Sequence, residues 1–310
     1  MLFVLLAAIV IVFTLMNFAP GDPTATILGE GATQEEKDAL RDRLGLNDPF
    51  FVRLGSFIWD MLHGDMGKSY RSSLPVFEEI MSRYPITLKL TLGSVALGVL
   101  IGIPFGIISS VKQYSAFDRI FTSISLFGIS APSFWIAMLL VLIFSLKLRL
   151  LPATGTYGFK YWILPVLTMG LQTSASVMRM TRSSVLEVIR QDYIRTAKAK
   201  GQTQNNIITR HVLPNSLIPI LTTIGINICS FLGGSVLVET VFAMPGLGKF
   251  ILDSVNCKDY PCVLGGILWI SLNCVVITFV VDMLYAVVDP RIKANYGIGA
   301  KKSKAAGKEH

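Results

Sequence analysis

The polar stretch from Gln191 to Pro214 separates two apolar segments and gathers the residues of this chain best suited to work at a surface. It reads Asp192-Tyr193-Ile194-Arg195-Thr196-Ala197-Lys198-Ala199-Lys200-Gly201 and, after nine further residues, His211-Val212-Leu213-Pro214. Read as a helix from Ser184, the positions Val185, Val188, Ile189, Asp192 with Tyr193, and Thr196 recur at spacings of three and four, while Arg190, Arg195, Lys198 and Lys200 take other faces. One face can then lie against apolar helices or a protein partner; a basic amphipathic helix of this kind also suits anionic lipid. Gly201 permits a left-handed or close-packed turn where a Cβ would clash. Leu213-Pro214 restarts the chain, proline being accepted in a first helical turn. The chemistry on offer is grip, not bond making.

A second cluster, Val238-Glu239-Thr240-Val241-Phe242-Ala243-Met244-Pro245-Gly246-Leu247-Gly248, follows a later apolar segment. Pro245 and the two glycines make a compact re-entrant turn that could line or cap the mouth of a pathway, or an ordinary tight turn without gating. Catalytic patterns are missing. There is no GxxxxGK[ST] phosphate loop, and Gly246-Leu247-Gly248-Lys249 is only a fragment of one. No nucleophile stands beside a base, no His/Cys spacing suggests zinc, and no cofactor is expected. Cys229 and Cys274 fall in apolar segments as small buried hydrophobes. Cys257 and Cys262 lie close together, as a possible disulfide or as two free thiols.

The elements that must carry these residues belong in a bilayer. At 52% hydrophobic and 15% charged residues the chain has too little charge to cover a soluble surface. Its mean hydropathy is +0.58. A membrane helix needs about 20 mostly apolar residues, and six segments are expected at roughly 1–19, 87–110, 120–146, 163–181, 216–238 and 264–287. Residues 1–19 lack a basic leader, and Pro20-Gly21 is poor cleavage context, so the segment is retained as a span with a start expected upstream. The segments 109–119, 179–215 and 289–310 together hold 15 Lys/Arg against 5 Asp/Glu, and the alternate set holds 12 against 14. The basic set should be cytoplasmic, with both termini inside. The basic pI of 9.3 therefore reads as topology and not as nucleic-acid binding. No charged residue falls centrally in any span, which disfavours an ion-coupled carrier. Asp282, near the end of the sixth, is given a structural role.

From Pro20 to Pro85 the composition turns polar. Gln34 to Leu44 reads as a short amphipathic helix with Thr33 as N-cap, Glu36 three residues on, and Gly45 ending it. Phe57, Ile58, Trp59, Met61 and Leu62 give an apolar stripe. Gly93, Gly98, Gly102, Pro104 and Gly106 in the second span allow close packing or a hinge. Ser130-Ala131-Pro132-Ser133-Phe134-Trp135 marks a break or kink in the third.

The stretch from Gln191 closely resembles the EAA loop of ABC importer permeases, in which an Ala-rich cytoplasmic helix, a Gly and a later Leu-Pro dock into a cleft on the ATPase subunit. Its Arg-Thr-Ala-x-Ala-Lys-Gly form, Arg195 to Gly201, is similar to the dipeptide/oligopeptide (DppB/OppB) type. It departs from the general pattern at Arg195, where many importers carry Glu, and at His211, where they carry an aliphatic residue. Val238 to Gly248, Ala19-Pro20-Gly21-Asp22-Pro23, Arg43-Leu44-Gly45-Leu46, Gly64-Asp65-Met66-Gly67-Lys68-Ser69, Asp259-Tyr260-Pro261 and Asp289-Pro290-Arg291 continue the likeness. The resemblance implies an all-α integral membrane protein of the cytoplasmic membrane, with six transmembrane helices in the type I ABC importer permease fold. Residues 1–19 would be the first helix, 20–86 an extracytoplasmic insertion between helices 1 and 2, 87–288 the permease domain with its coupling segment at 184–214, and 289–310 a basic cytoplasmic tail. Asp192, Arg195, Thr196, Ala197, Gly201, Leu213 and Pro214 would couple to the ATPase, and Glu239, Met244, Pro245, Gly246, Leu247 and Gly248 would form an outer-gate loop. The implied partners are a second permease, two ATP-binding subunits and an extracytoplasmic substrate-binding protein, with lipid around them. The implied cargo is peptides, with glutathione or nickel as alternatives within the family; an ion-coupled secondary transporter is the rival class.

Overall fold

The computed structural model describes residues 2–18, 23–29 and 31–288. The stretch Ala19-Pro20-Gly21-Asp22, the motif Asp289-Pro290-Arg291 and the basic tail 289–310 lie outside the described residues. Among those described the chain is helical throughout, with α1 Leu2–Phe18, α2 Pro23–Leu28, α3 Gln34–Arg43, α4 Phe50–Leu62, α5 Val76–Val111, α6 Ala116–Ser130, α7 Ser133–Lys147 and α8 Lys160–Ile189. There follow α9 Asp192–Ala199, α10 Gln204–Gly234, α11 Val236–Val241, α12 Leu247–Asn256 and α13 Tyr260–Val288.

Three of these, α5, α10 and α13, are long and apolar enough to cross a bilayer, and α6 with α7 makes a fourth if the pair is one broken span. The pair is bent by 105° at Ala131-Pro132, where Pro132 cannot donate to the helix before it. That bend is far sharper than a kink within one span. The remaining two expected segments depart for different reasons. Helix α1 has 17 residues. Helix α8 is long but rich in Thr and Ser, and most of those residues are buried against protein.

The chain divides into two compact units. The first takes residues up to Thr91, Pro152–Tyr161 and Ser230–Val275. Here α3 carries the capping box expected at Thr33: Glu36 N–H donates to Thr33 Oγ1 at 3.3 Å, and Thr33 N–H donates to Glu36 Oε2 at 2.9 Å. Gly45, at φ +62°, closes that segment in the left-handed region. Phe13 of α1 meets Phe50 and Phe57 of α4 at 5.6 and 5.7 Å between ring centroids, so Phe57 faces protein while Trp59 and Leu62 stay exposed. The unit's buried centre joins Val76 and Ile80 of α5 to Leu247 of α12 and Cys262 of α13. Helix α5 begins at Val76, well before the expected 87, and Pro85 lies inside it.

The second unit takes Leu92–Leu151, Trp162–Cys229 and the chain from Val276. Its spine is the contact of α5 with α8. Gly98, Gly102 and Gly106 fall one turn apart on one face of α5, against Thr173 with Ser174, Val177, and Met178 with Thr181. A Cβ at Gly102 would stand 2.8 Å from Val177 Cβ and 2.9 Å from the Ser174 carbonyl oxygen. Close packing, one of the two readings of these glycines, is realised. The hydroxyls of Thr168, Thr173, Ser174 and Ser176 donate to carbonyls of their own helix at 2.8 to 3.1 Å, which satisfies them without water. A helix that buries such a face against protein has no need to be apolar on every side.

Candidate coupling segment and carboxylate-centred loop

Helix α8 runs on to Ile189, so the residues from Ser184 continue the long helix. Gln191, at φ −70° and ψ 148°, then breaks it, and α9 starts afresh. The break resets the helical phase. Ile194 and Ala197 turn inward onto Val185, Ile207 and Val212, with Ile107, Val188 and Ile189 around them. Asp192, Tyr193, Arg195 and Thr196 point out, so the expected shared face of Val185 with Tyr193 and Thr196 is not formed. Ile194, fully buried, was missed by the sequence reading; its signal was the Ile194/Ala197 spacing within Asp192–Ala199 alone. Asp192 and Arg195 approach to 3.6 Å while both remain largely in solvent, a pairing worth little.

Gly201 follows at φ +75°, with open space where a Cβ would be. The left-handed turn is as expected; close packing there is not. His211 also finds a place, its Nε2 lying 3.0 Å from Gln202 Oε1, so that it closes the loop an aliphatic residue would leave unpaired. Leu213-Pro214 does not restart the chain. Helix α10 has already begun at Gln204 and passes through a wider π-type stretch, Ile208–Val212, before the proline. The local distortion accommodates the missing N–H. Asn215 Nδ2 and Ser216 Oγ donate to the carbonyls of His211 and Val212 at 2.6 and 2.8 Å.

An ion pair between a buried carboxylate and a half-buried guanidinium, which sequence reasoning overlooked, braces this region. Arg182 of α8 donates through Nε and Nη2 to the two oxygens of Asp118 at 2.7 and 2.8 Å. Ser109 Oγ of α5 and Tyr114 N–H also donate to that carboxylate. A fork of two parallel bonds fixes orientation as well as distance. Three helices are thereby tied together a few turns from α9. The local clue was Ser115 three residues before Asp118, an N-cap pattern whose bond is formed at 3.2 Å.

In the first unit the stretch from Val238 to Gly248 closes on Glu239. Its carboxylate is fully buried. Oε1 accepts from Thr87 Oγ1 at 2.6 Å and Ser235 Oγ at 2.8 Å; Oε2 accepts from Lys249 N–H at 2.8 Å. Thr87 Oγ1 in turn accepts Leu247 N–H at 2.8 Å. The first turn of α12 is thus capped by side chains from α5 and α11, and its positive end meets a carboxylate. A Cβ at Gly246 would sit 2.3 Å from Glu239 Cδ, so glycine is what lets the chain pass. Met244 and Leu247 are buried and Pro245 is exposed. The six expected loop residues are brought together.

Two sequence landmarks meet nearby. Ser69 Oγ and Tyr70 N–H donate to Asp259 at 2.5 and 3.1 Å, joining Gly64–Ser69 to Asp259-Tyr260-Pro261. Burial pushes the Tyr70 phenol up to about 12, against the pull of Arg53. The possible disulfide is not formed. Cys262 is buried among Val76, Ile80 and Leu247, while Cys257, at the end of α12, accepts from Arg71 Nη1 at 3.7 Å. The two thiols are held in different surroundings.

Residues 102–294 match the family described as binding-protein-dependent transport system inner membrane component, and residues 1–91 match the N-terminal part of such membrane components. The chain belongs to this family. The permease is 40% identical to a dipeptide transport system permease protein, DppB, of Alkalihalophilus pseudofirmus, over 94% of this chain and 96% of the relative. It is 38% identical to a putative peptide transport system permease protein of Brucella abortus, over 94% and 95% of the two chains. It is also 40% identical to the glutathione transport system permease protein GsiC of Salmonella choleraesuis, over 93% and 94%. The fold is that of ABC importer permeases: the inward-facing MetNI methionine ABC transporter matches with TM-score 0.56 at 20% identity, over 69% of this chain and 97% of that one. As a permease it is a membrane transport component of an ABC importer, and ATP hydrolysis falls to a separate partner.

Proposed function

We propose that this permease carries di- and oligopeptides across the cytoplasmic membrane for an ATP-driven importer, with α9 as the part on which the ATPase pulls. The observation that carries the reading is the mounting of α9. Its inner face is locked to α8 and α10 through Ile194 and Ala197, its outer face is polar and unencumbered, and Gly201 ends it in open space. Force applied there is passed to packed helices instead of being lost in a loose loop. The importer comprises this chain, a second permease, two ATP-binding subunits and an extracytoplasmic binding protein. The chain spans the membrane six times, counting α1, the bent α6–α7 pair and the protein-facing α8, with both termini cytoplasmic and α2 to α4 in an extracytoplasmic insertion. The peptide names of the relatives support the cargo. The equal identity to a glutathione permease favours glutathione as the second reading.

Uptake of labelled di- to hexapeptides and of glutathione, in cells with and without the gene, tests the cargo. Peptide uptake should depend on the gene, and unchanged peptide uptake alongside lost glutathione uptake would favour the second reading. For coupling, Gly201→Trp should cut uptake about tenfold, equivalent to about 1.4 kcal/mol of lost interaction, with membrane abundance preserved because the bulk enters no packed space. Gly201→Asn, which tolerates the left-handed region, should transport normally. Cysteines at the exposed positions of Arg195 and Thr196 should crosslink to the ATPase, and one at Pro245 should not. Crosslinking from Pro245 would invert the topology.

A further inference from the structure

A cleft of about 510 Å³ opens within the first unit between the turn after Ser69, the first turns of α5, and α12. That size falls in the range of small-molecule sites, about 300 to 1,000 Å³, although such sites are usually more apolar. Two of its carboxylates are already engaged. Glu79 pairs with Arg83, whose guanidinium also lies 4.4 Å from the centre of the Phe250 ring. Asp259 is held by Ser69 and Tyr70. Three further charges line the same cleft, namely Arg71, Lys249 and Asp253, and among the described residues none has an oppositely charged partner at ion-pair distance. Their backbones are nonetheless fixed. Lys249 N–H is bonded to the buried Glu239, and Arg71 N–H donates at 3.2 Å to Ser69 Oγ, itself tied to Asp259.

We propose that this cleft receives the two charged ends of a dipeptide-sized cargo, its α-carboxylate at Lys249 and Arg71 and its α-ammonium at Asp253. The proposal rests on the peptide-import reading above. Lys249 and Asp253 stand one turn apart on one face of α12, roughly 5 to 6 Å between Cβ atoms. Two extended residues reach about 7 Å. The poles of the site and of the ligand therefore match in sign and in span. Two cations for the carboxylate and one anion for the ammonium give a polarity that fixes which end goes where. Few apolar side chains line the cleft, so it selects by the ends of the peptide and leaves the cargo's side chains unread. Mounting on a backbone held by Glu239 and Asp259 lowers the ordering cost of binding.

The test uses the complete importer with its binding protein, reconstituted in liposomes. KM for uptake is measured for a dipeptide with free ends, for its C-terminal amide and for its N-acetyl form. The affinity of the isolated binding protein for each is measured alongside and divided out. In the unaltered complex the free dipeptide should be favoured over both blocked forms. Lys249→Gln combined with Arg71→Gln should shrink the preference over the amide about tenfold, and Asp253→Asn should shrink the preference over the acetylated form. An equal fall for all three cargoes would show a role in folding or in docking the binding protein, and would overturn the proposal. So would uptake that ignores the substitutions. Absence of any peptide uptake by the unaltered complex would overturn the peptide reading itself, an outcome distinguishable from either.

Discussion

Glu239→Ala should remove the folded permease from the membrane or leave it inactive there. The substitution strips three donors at once, the Thr87 and Ser235 hydroxyls and the Lys249 amide, all bonded to one buried carboxylate. A buried donor left unpaired costs about 1 to 3 kcal/mol, and three in one site put the loss at about 3 to 9 kcal/mol, before the vacated space is counted. Stabilities of whole domains are about 5 to 15 kcal/mol. Glu239→Gln keeps the shape and one acceptor oxygen, and the hydroxyls can turn to accept from its amide, so it should cost about 1 kcal/mol. The thermal midpoint of the detergent-solubilised complex, membrane abundance and uptake are the measurements. A Glu239→Ala protein as stable as the parent would show that the carboxylate is not what holds α11, α12 and α5 together.

Gly102→Leu should be comparably severe through a different cause. The missing Cβ at Gly102 is where Val177 and the Ser174 carbonyl stand, within 2.9 Å. Even Gly102→Ala forces α5 from α8, an overpacking cost of about 1 to 3 kcal/mol that outweighs the roughly 1 kcal/mol alanine gains in a helix. Leucine adds three more carbons with nowhere to go. Gly234→Ala is the control, because nothing lies within 4 Å of its added Cβ. It should be neutral or slightly stabilising. Equal behaviour of Gly102→Ala and Gly234→Ala, by thermal midpoint and by yield of assembled complex, would remove the glycine face from the packing of the second unit.

Some features were legible in the chain because their causes are local. The Thr33/Glu36 box, the break at Ala131-Pro132, the left-handed Gly201 and the turn at Pro245-Gly246 depend on residues a few positions apart, whose backbone preferences and capping bonds act wherever the segment sits. The family likeness also lies in such short runs, and the comparisons bear it out over nearly the whole chain. Other features had no local signal. Asp259 finds Ser69 across 190 residues, and Asp118 finds Arg182 across 64. Hydropathy read residues 163–181 as one more span, whereas Thr173, Ser174 and Thr181 of α8 lie against the glycines of α5, and Thr168, Thr173, Ser174 and Ser176 bond to their own helix; a hydropathy pattern registers how polar a face is but not what covers it. Periodicity likewise carried one helix through Gln191, while packing of Ile194 and Ala197 on Val185, Ile207 and Val212 sets the phase of α9. The sequence by itself determined the helical membrane character, the turns and the family. Tertiary structure decided which faces are buried, which charges pair and where α8 gives way to α9, because those outcomes depend on contacts between residues that lie far apart along the chain.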